Sequence, residues 1–272
     1  METHVDSRNL PEMAGMNTAH SPAELQKLYA KRFVGRSDYR DQVWRVLVDD
    51  YFAQRIPAHA SVLDLGCGHC EFINHVRSGK RFGMDLNPDS VKLAAPSVQI
   101  LVQNCSQSWA LPDNSLDVVF TSNFFEHLST KRDLRDTLGQ AWRCLRPGGR
   151  IIALGPNIRY LAGEYWDFYD HYLPLTELSL GEVMAEVGFT VEEQIARFLP
   201  YTMSQGGQRP VWMLRLYLRL RFAWPLFGKQ FLVVAGKGNA GDAQPGVYSL
   251  RDQLAAAAWD GGSRQRDLRD KY

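Results

Sequence analysis

The chain has 272 residues, 45% of them hydrophobic, which is enough for one large core or two small ones; one catalytic domain with appendages is the expected plan. Its 31 Lys and Arg offset 30 Asp and Glu, so overall charge gives no reason for a polyanionic partner and no nucleic acid is expected. There is no apolar run near the ~20 residues of a membrane span, no apolar stretch at the start to act as a secretory signal, and only Cys67, Cys70, Cys105 and Cys144 for disulfides, so a cytoplasmic protein is expected.

Residues 1–20 are polar and aperiodic and read as a flexible N-terminus. Ser21-Pro22-Ala23-Glu24 then offers an N-cap, a first-turn proline and a capping-box glutamate, so a helix should start there. A second helix begins near Ser37, where Val43, Trp44, Leu47, Val48, Tyr51 and Phe52 make one apolar face. These N-terminal helices, within 21–58, are expected to cover the site.

From residue 61 the pattern is strand (SVLDL), glycine turn and helix (GCGHCEFINHVRSG), then strand (RFGMDL), a βαβ unit. Strands are next predicted at Val98–Val102, Leu116–Ser122 and Ile151–Leu154, and Leu134, Leu138, Ala141, Trp142 and Leu145 mark a helix between the last two. Such alternation predicts an α/β fold with a largely parallel sheet.

After Thr176 a helix should run to a C-terminal glycine, Gly188, followed by strands around Val191–Arg197 and Phe231–Ala235. Residues 211–224, VWMLRLYLRLRFAW, alternate like a strand but also carry a helical stripe through Trp212, Met213, Leu216, Tyr217 and Leu220; the helix is favoured. The segment 238–272 is poor in large apolar residues and reads as a flexible tail with a short helix near Leu254.

Chemistry concentrates at the first glycine turn. Gly66 and Gly68 let backbone approach a ligand closely, but a dinucleotide G-x-G-x-x-G fingerprint would need glycine at position 71, which is Glu71. Cys67 and Cys70 flank His69 as a C-x-x-C, the pattern of a redox pair or half a zinc site. No second half accompanies them, so neither a redox pair nor a metal is expected.

The run VLDLGCGHCEF followed by GMDLNP resembles class I S-adenosylmethionine-dependent methyltransferases, whose first motif reads acidic-x-G-x-G-x-G. The resemblance continues through QNCSQSWALPDNSLDVVFTSNFFEHL and LRPGGRIIAL and covers roughly residues 60–200. It implies a Rossmann-like three-layer sandwich with an antiparallel final strand, in a domain spanning 59–237 with an aromatic insert at 157–175 and a basic, aromatic one at 200–229.

The resemblance further implies S-adenosylmethionine as cofactor. Asp64, Gly66 and Gly68 would line the loop and Asp85 would take the ribose diol, which suits a carboxylate able to accept two hydrogen bonds. Leu86 would face the adenine ring, Asn104 and Cys105 would stand beside it, and Asn123 would meet the methionine amino group. The third motif glycine is Cys70 here. Asp64 as a cap of the glycine turn, and Asp85 as the start of the Asn87-Pro88 turn, are the competing roles.

Methyl transfer from a sulfonium is an in-line displacement, with a base needed only where the acceptor must lose a proton. His127, in the loop after the fourth strand, and His171, in the insert EYWDFYDHYLP, are the candidate bases. The aromatic insert, with Glu164, Asp167 and Asp170, suits a hydroxyl-bearing, partly apolar acceptor better than a polyanion. Together with YAKRFVGRSDYRDQVW, it resembles bacterial methyltransferases of glycan or glycolipid assembly.

A small-molecule, glycan or lipid-linked acceptor, methylated at a hydroxyl or carboxylate oxygen, is therefore the leading expectation. Arg36 and Tyr39 are candidate ligands for the cofactor carboxylate or the acceptor, or solvated surface groups. The alternatives are a nicotinamide-dependent oxidoreductase and a non-catalytic cofactor-binding protein. Arginines interleaved with aromatics in 200–229 add an expected peripheral contact with an anionic membrane.

Overall fold

A computed structural model describes residues 37–201 and 208–238. The predicted helix from Ser21, Arg36 and the tail helix near Leu254 lie outside the described residues. The helix near Ser37 is α1 (Ser37–Asp50), and Val43, Trp44, Leu47, Val48, Tyr51 and Phe52 are all buried, as their spacing requires.

Seven strands follow: β1 (Ser61–Leu65), β2 (Lys80–Asp85), β3 (Val98–Val102), β4 (Leu116–Ser122), β5 (Leu145–Pro156), β6 (Thr190–Leu199) and β7 (Gln230–Gly236). They form one sheet in the order β3-β2-β1-β4-β5-β7-β6. The first five pair in parallel, while β7 runs antiparallel to both β5 and β6. β1 is buried along its whole length, as befits a central strand covered on both faces.

Helices cover both sides. One face packs against α1, the short α2 (Glu71–His75) and the C-terminal helices α6 (Val211–Arg219) and α7 (Trp224–Phe227). The other packs against α4 (Lys131–Cys144) and α5 (Glu177–Val187), and α3 (Ser90–Leu93) follows β2. The result is the Rossmann-like three-layer sandwich.

Local chemistry explains the helix ends. Thr130 caps α4 in a reciprocal box with Asp133, Thr176 caps α5 with Ser179, and Gly188 ends α5 at φ 113°, which glycine adopts without steric cost. Residues 211–219 are helical as favoured, but α6 ends at Leu220 and a 3-10 turn separates it from α7. The predicted strands at 151–154, 191–197 and 231–235 are each longer. Antiparallel pairing of β7 with β5 and β6 carries the ladder past the apolar runs, and Leu145 opens β5 rather than belonging to the preceding helix.

Candidate functional site

The turn after β1 curls over the end of β2. The amides of Gly66 and Cys67 donate to the Met84 carbonyl at 2.8 and 3.1 Å. Gly66, Gly68 and Cys70 all have positive φ, at 71°, 48° and 62°. A Cβ on Gly66 would stand 2.3 Å from Cγ of Phe124, so glycine is needed there for conformation and space alike.

Asp85, at the end of β2, holds this turn from below. One carboxylate oxygen accepts the Gly68 amide at 2.8 Å and the other the Asn87 amide at 2.8 Å. Both bonds leave lone pairs for a further donor. Burial raises the Asp85 pKa against the lowering pull of these amides. Asp64 is buried, and its pKa is raised well above the carboxylate range by burial and then by the charges of Glu71 and Asp85. Glu71, also raised by burial, pairs with Arg40 of α1 at 2.9 Å.

The opposite wall comes from later in the chain. Asn123 follows β4 at φ 48°, its amide donating to the Leu154 carbonyl at 2.9 Å, and its Oδ1 is buried with no donor among the described residues. The next turn carries Glu126 and His127. The insert docks on it through the amides of Tyr172 and Leu173, which donate to the Glu126 carbonyl at 2.7 and 3.2 Å.

His127 Nδ1 lies 2.9 Å from the Asp170 carbonyl and 3.2 Å from its carboxylate. Burial works against the charged imidazole, but the Asp170 hydrogen bond and the Glu126 and Asp170 charges outweigh it and raise the His127 pKa. His171 is buried, with its ring stacked on Phe168 and 5.0 Å from that of His127.

These walls enclose a cavity of about 140 Å³. Of the cofactor-binding and catalytic candidates named from the sequence, Asp64, Gly66, Gly68, Asn123, His127 and His171 line it together, with Cys67, His69 and Glu71 of the same turn. Asp85, Leu86, Asn104 and Cys105 stand outside its lining. The Oδ1 of Asn104 accepts both the amide and the hydroxyl of Ser106 at 2.9 Å, so the group it has left to offer a ligand is its amide NH2. The Cys105 thiol is buried beside Thr137, and its pKa is pushed up to about 12, mainly by burial.

Tyr39 does not line the cavity; its hydroxyl accepts the Arg209 amide at 3.2 Å instead. Cys67 and Cys70 are buried free thiols with sulfurs 3.8 Å apart. Their hydrogen bond, then burial, pushes the Cys67 pKa up.

Sequence reasoning missed Arg40, Trp44 and Gln230. Arg40 and Trp44, four residues apart on one face of α1, both reach the cavity, a signal available in the helical spacing. Gln230 opens β7; it is 3% exposed, gives its Nε2 to the Pro200 carbonyl at 2.9 Å, and among the described residues has no donor for its Oε1. Only the antiparallel pairing brings it here. Among the described residues the lining thus sets Asp64, Glu71 and Glu126 beside Arg40 and His127, with side-chain oxygens of Asn123 and Gln230 that no described donor fills. It suits a small ligand that carries positive charge and hydrogen-bond donors.

A family model described as a methyltransferase domain matches residues 37–194. An uncharacterised 37.1 kDa protein in a transposon of Streptomyces fradiae is 30% identical over 118 residues, 39% of this chain, and the match spans about a third (33%) of that relative. Among solved structures, a chain from a Haloferax volcanii complex of a methyltransferase activator and a methyltransferase is similar, with a TM-score of 0.58 at 19% identity. That match covers 78% of this chain and 98% of the other. An S-adenosylmethionine-dependent methyltransferase from Archaeoglobus fulgidus has a TM-score of 0.54 at 20% identity, covering 75% and 99% of the two chains. At these identities the likeness speaks for the fold.

Proposed function

Because this chain belongs to the methyltransferase domain family, whose methyl donor is S-adenosylmethionine, we propose that it moves that methyl group to an oxygen of a small-molecule, glycan or lipid-linked acceptor. The observation that carries this reading is the single cavity joining the glycine turn to His127 and His171. The family match sets aside the nicotinamide-dependent alternative, as does Glu71 where a pyrophosphate would lie.

In this reading the ribose diol donates to the remaining lone pairs of Asp85. The adenine lies along Leu86 near Asn104 and Cys105, and the cofactor's cationic methionine end enters the carboxylate-rich cavity beside Asp64 and Asn123. Acceptors that no described donor fills, and buried carboxyl groups whose ionised form a neighbouring cation favours, are what an ammonium and a sulfonium satisfy. His127 and His171 form the acceptor's side, where a hydroxyl must give up its proton. The main contribution of the protein is to hold the oxygen in line with the methyl carbon and sulfur.

The acceptor's class is supported by the surface. Trp212, Met213, Leu216, Phe222, Leu226 and Phe227 of α6, α7 and the turn between them are exposed beside Arg215, Arg219 and Arg221. Such a mixture can rest on an anionic bilayer and meet a lipid-linked substrate there. No helix of the described residues is long and apolar enough to cross a membrane.

Incubation with methyl-labelled S-adenosylmethionine and separate pools of lipid-linked and soluble glycans tests the reaction. Label is expected in a product stable to mild base, as an ether is and an ester is not. Binding of the demethylated cofactor with no transfer to any pool would instead favour a non-catalytic protein. Sedimentation with anionic vesicles at low salt tests the surface. Co-sedimentation is expected and should fall about tenfold or more when Arg215, Arg219 and Arg221 become glutamine, at about 1 kcal/mol per charge; equal sedimentation of that variant would remove the membrane contact.

Cys70 allows a finer check on the glycine turn. Its φ of 62° is the glycine conformation, so Cys70→Gly relieves about 1 kcal/mol of backbone strain while losing a buried thiol of similar worth. Cofactor affinity should change by less than about twofold, or 0.4 kcal/mol. A loss beyond about tenfold in calorimetry would give the thiol a binding role.

A further inference from the structure

On the acceptor side of the cavity, the two histidines stand with a carboxylate in a cluster whose donor atoms converge. Glu126, His127 and His171 each present one donor atom, and these atoms all lie within 4.8 Å of one another. Two imidazoles and one carboxylate form a mixed nitrogen and oxygen set of the kind that holds divalent first-row cations while leaving other coordination positions open. Donors bound at about 2.0–2.2 Å stand about 3–3.5 Å apart at adjacent positions and about 4.2 Å apart only across the cation, so this cluster closes on an ion by tightening up to about 1.5 Å.

The surroundings are those of a prepared site. His127 has Nδ1 committed to the carbonyl and carboxylate of Asp170, an arrangement that orients a ligating imidazole and leaves Nε2 as its donor. The His171 ring is fixed between Phe168 and Tyr165, at 5.0 and 4.6 Å between centroids. The backbone bonds from Tyr172 and Leu173 to Glu126 bind the two loops to each other. Independently, the 3% exposed Gln230 lines the same cavity with an Oε1 that no donor in the described residues satisfies, an acceptor suited to a cation-bound water.

We propose that Glu126, His127 and His171 bind one divalent transition cation on the acceptor side of the cavity, with Asp170 as the positioning residue behind His127. The expectation that the protein uses no metal rested on the cysteines, which are a different set of residues. Its consequence for catalysis rests on the methyltransferase reading. The cation takes the acceptor's hydroxyl oxygen and acidifies it, and the proton passes to water. The oxygen lone pair forms the O–CH3 bond as the C–S bond breaks, its electron pair going to sulfur, which leaves the neutral thioether.

The test is a titration of full-length, chelator-treated protein with Mn2+, following the unbound ion by its electron paramagnetic resonance signal. Mn2+ is chosen because thiolates do not compete for it. One Mn2+ per chain is expected, displaced by Zn2+ in keeping with the affinity order of divalent metals. Glu126→Gln and His171→Gln should each weaken Mn2+ binding by about tenfold or more, and Asp170→Asn by about tenfold. Thermal melting and calorimetry with S-adenosylhomocysteine on the same samples show whether each variant is folded.

Absence of stoichiometric Mn2+ from the wild-type chain, or undiminished binding in folded Glu126→Gln and His171→Gln, overturns the site. Because the wild-type titration stands alone, a variant that fails to fold does not rescue it. A chain that binds S-adenosylhomocysteine but no Mn2+ loses this inference and keeps the methyltransferase reading, and the reverse result separates the two in the other direction.

Discussion

Asp85→Ala should weaken binding of S-adenosylmethionine about a hundredfold, since the loss of two charge-assisted hydrogen bonds to a ribose diol costs on the order of 3 kcal/mol. The same carboxylate also ties the Gly68 and Asn87 amides, so alanine loosens the turn that the cofactor would lie against. Asp85→Asn separates the contributions. It keeps the shape and one acceptor oxygen but loses the charge, and should cost about tenfold, or roughly 1.4 kcal/mol. Isothermal calorimetry reads both, with thermal melting alongside to count the folded fraction. Unchanged affinity in folded Asp85→Ala would sink the ribose assignment.

Phe120→Ala should be the most destabilising truncation near the site, by about 3–5 kcal/mol. Phe120 is fully buried on β4 and stacks on Phe72 with centroids 3.5 Å apart and planes at 14°. The edges of Trp44 and Phe52 meet it at 6.0 and 5.1 Å. Against a total stability of about 5–15 kcal/mol, the loss is a large share. Phe72 belongs to the helix that follows the glycine turn, and Trp44 shares a face of α1 with Arg40, so this aromatic cluster fixes the Arg40–Glu71 pair over the cavity. Urea unfolding at equilibrium checks the value; a change under about 1 kcal/mol would show that the cluster repacks. Phe120→Leu, which keeps most of the apolar volume, should cost less than about 1.5 kcal/mol.

The features that could be read without a structure are those encoded within a few residues. The Gly66-Cys67-Gly68 turn, with Asp64 before it and Asp85 at the end of the next strand, is legible because left-handed backbone and close approach demand particular residues at particular spacings; a nucleoside ligand there is what the family resemblance implies. The apolar face of α1, the Thr176 cap and the Gly188 stop are equally local. The alternation of strands with helices determined the parallel order of the first five strands for the same reason.

Other features depend on which distant segments meet. The ladders of β7 with β5 and β6 lengthen all three strands beyond their apolar runs and deliver Gln230 to the cavity, since backbone amides pair without regard to side chain. Asn104 and Asn123 look alike as residues. One spends its side-chain oxygen on Ser106, while the other is left with a buried oxygen that no described residue donates to. The sequence by itself determined the fold and the turn at which the cofactor is proposed to bind. The meeting of Glu126 and His127 with His171, held by the Asp170 and Tyr172 contacts, was decided by tertiary packing alone, because burial and long-range hydrogen bonds act between segments whose separation along the chain carries no local signal.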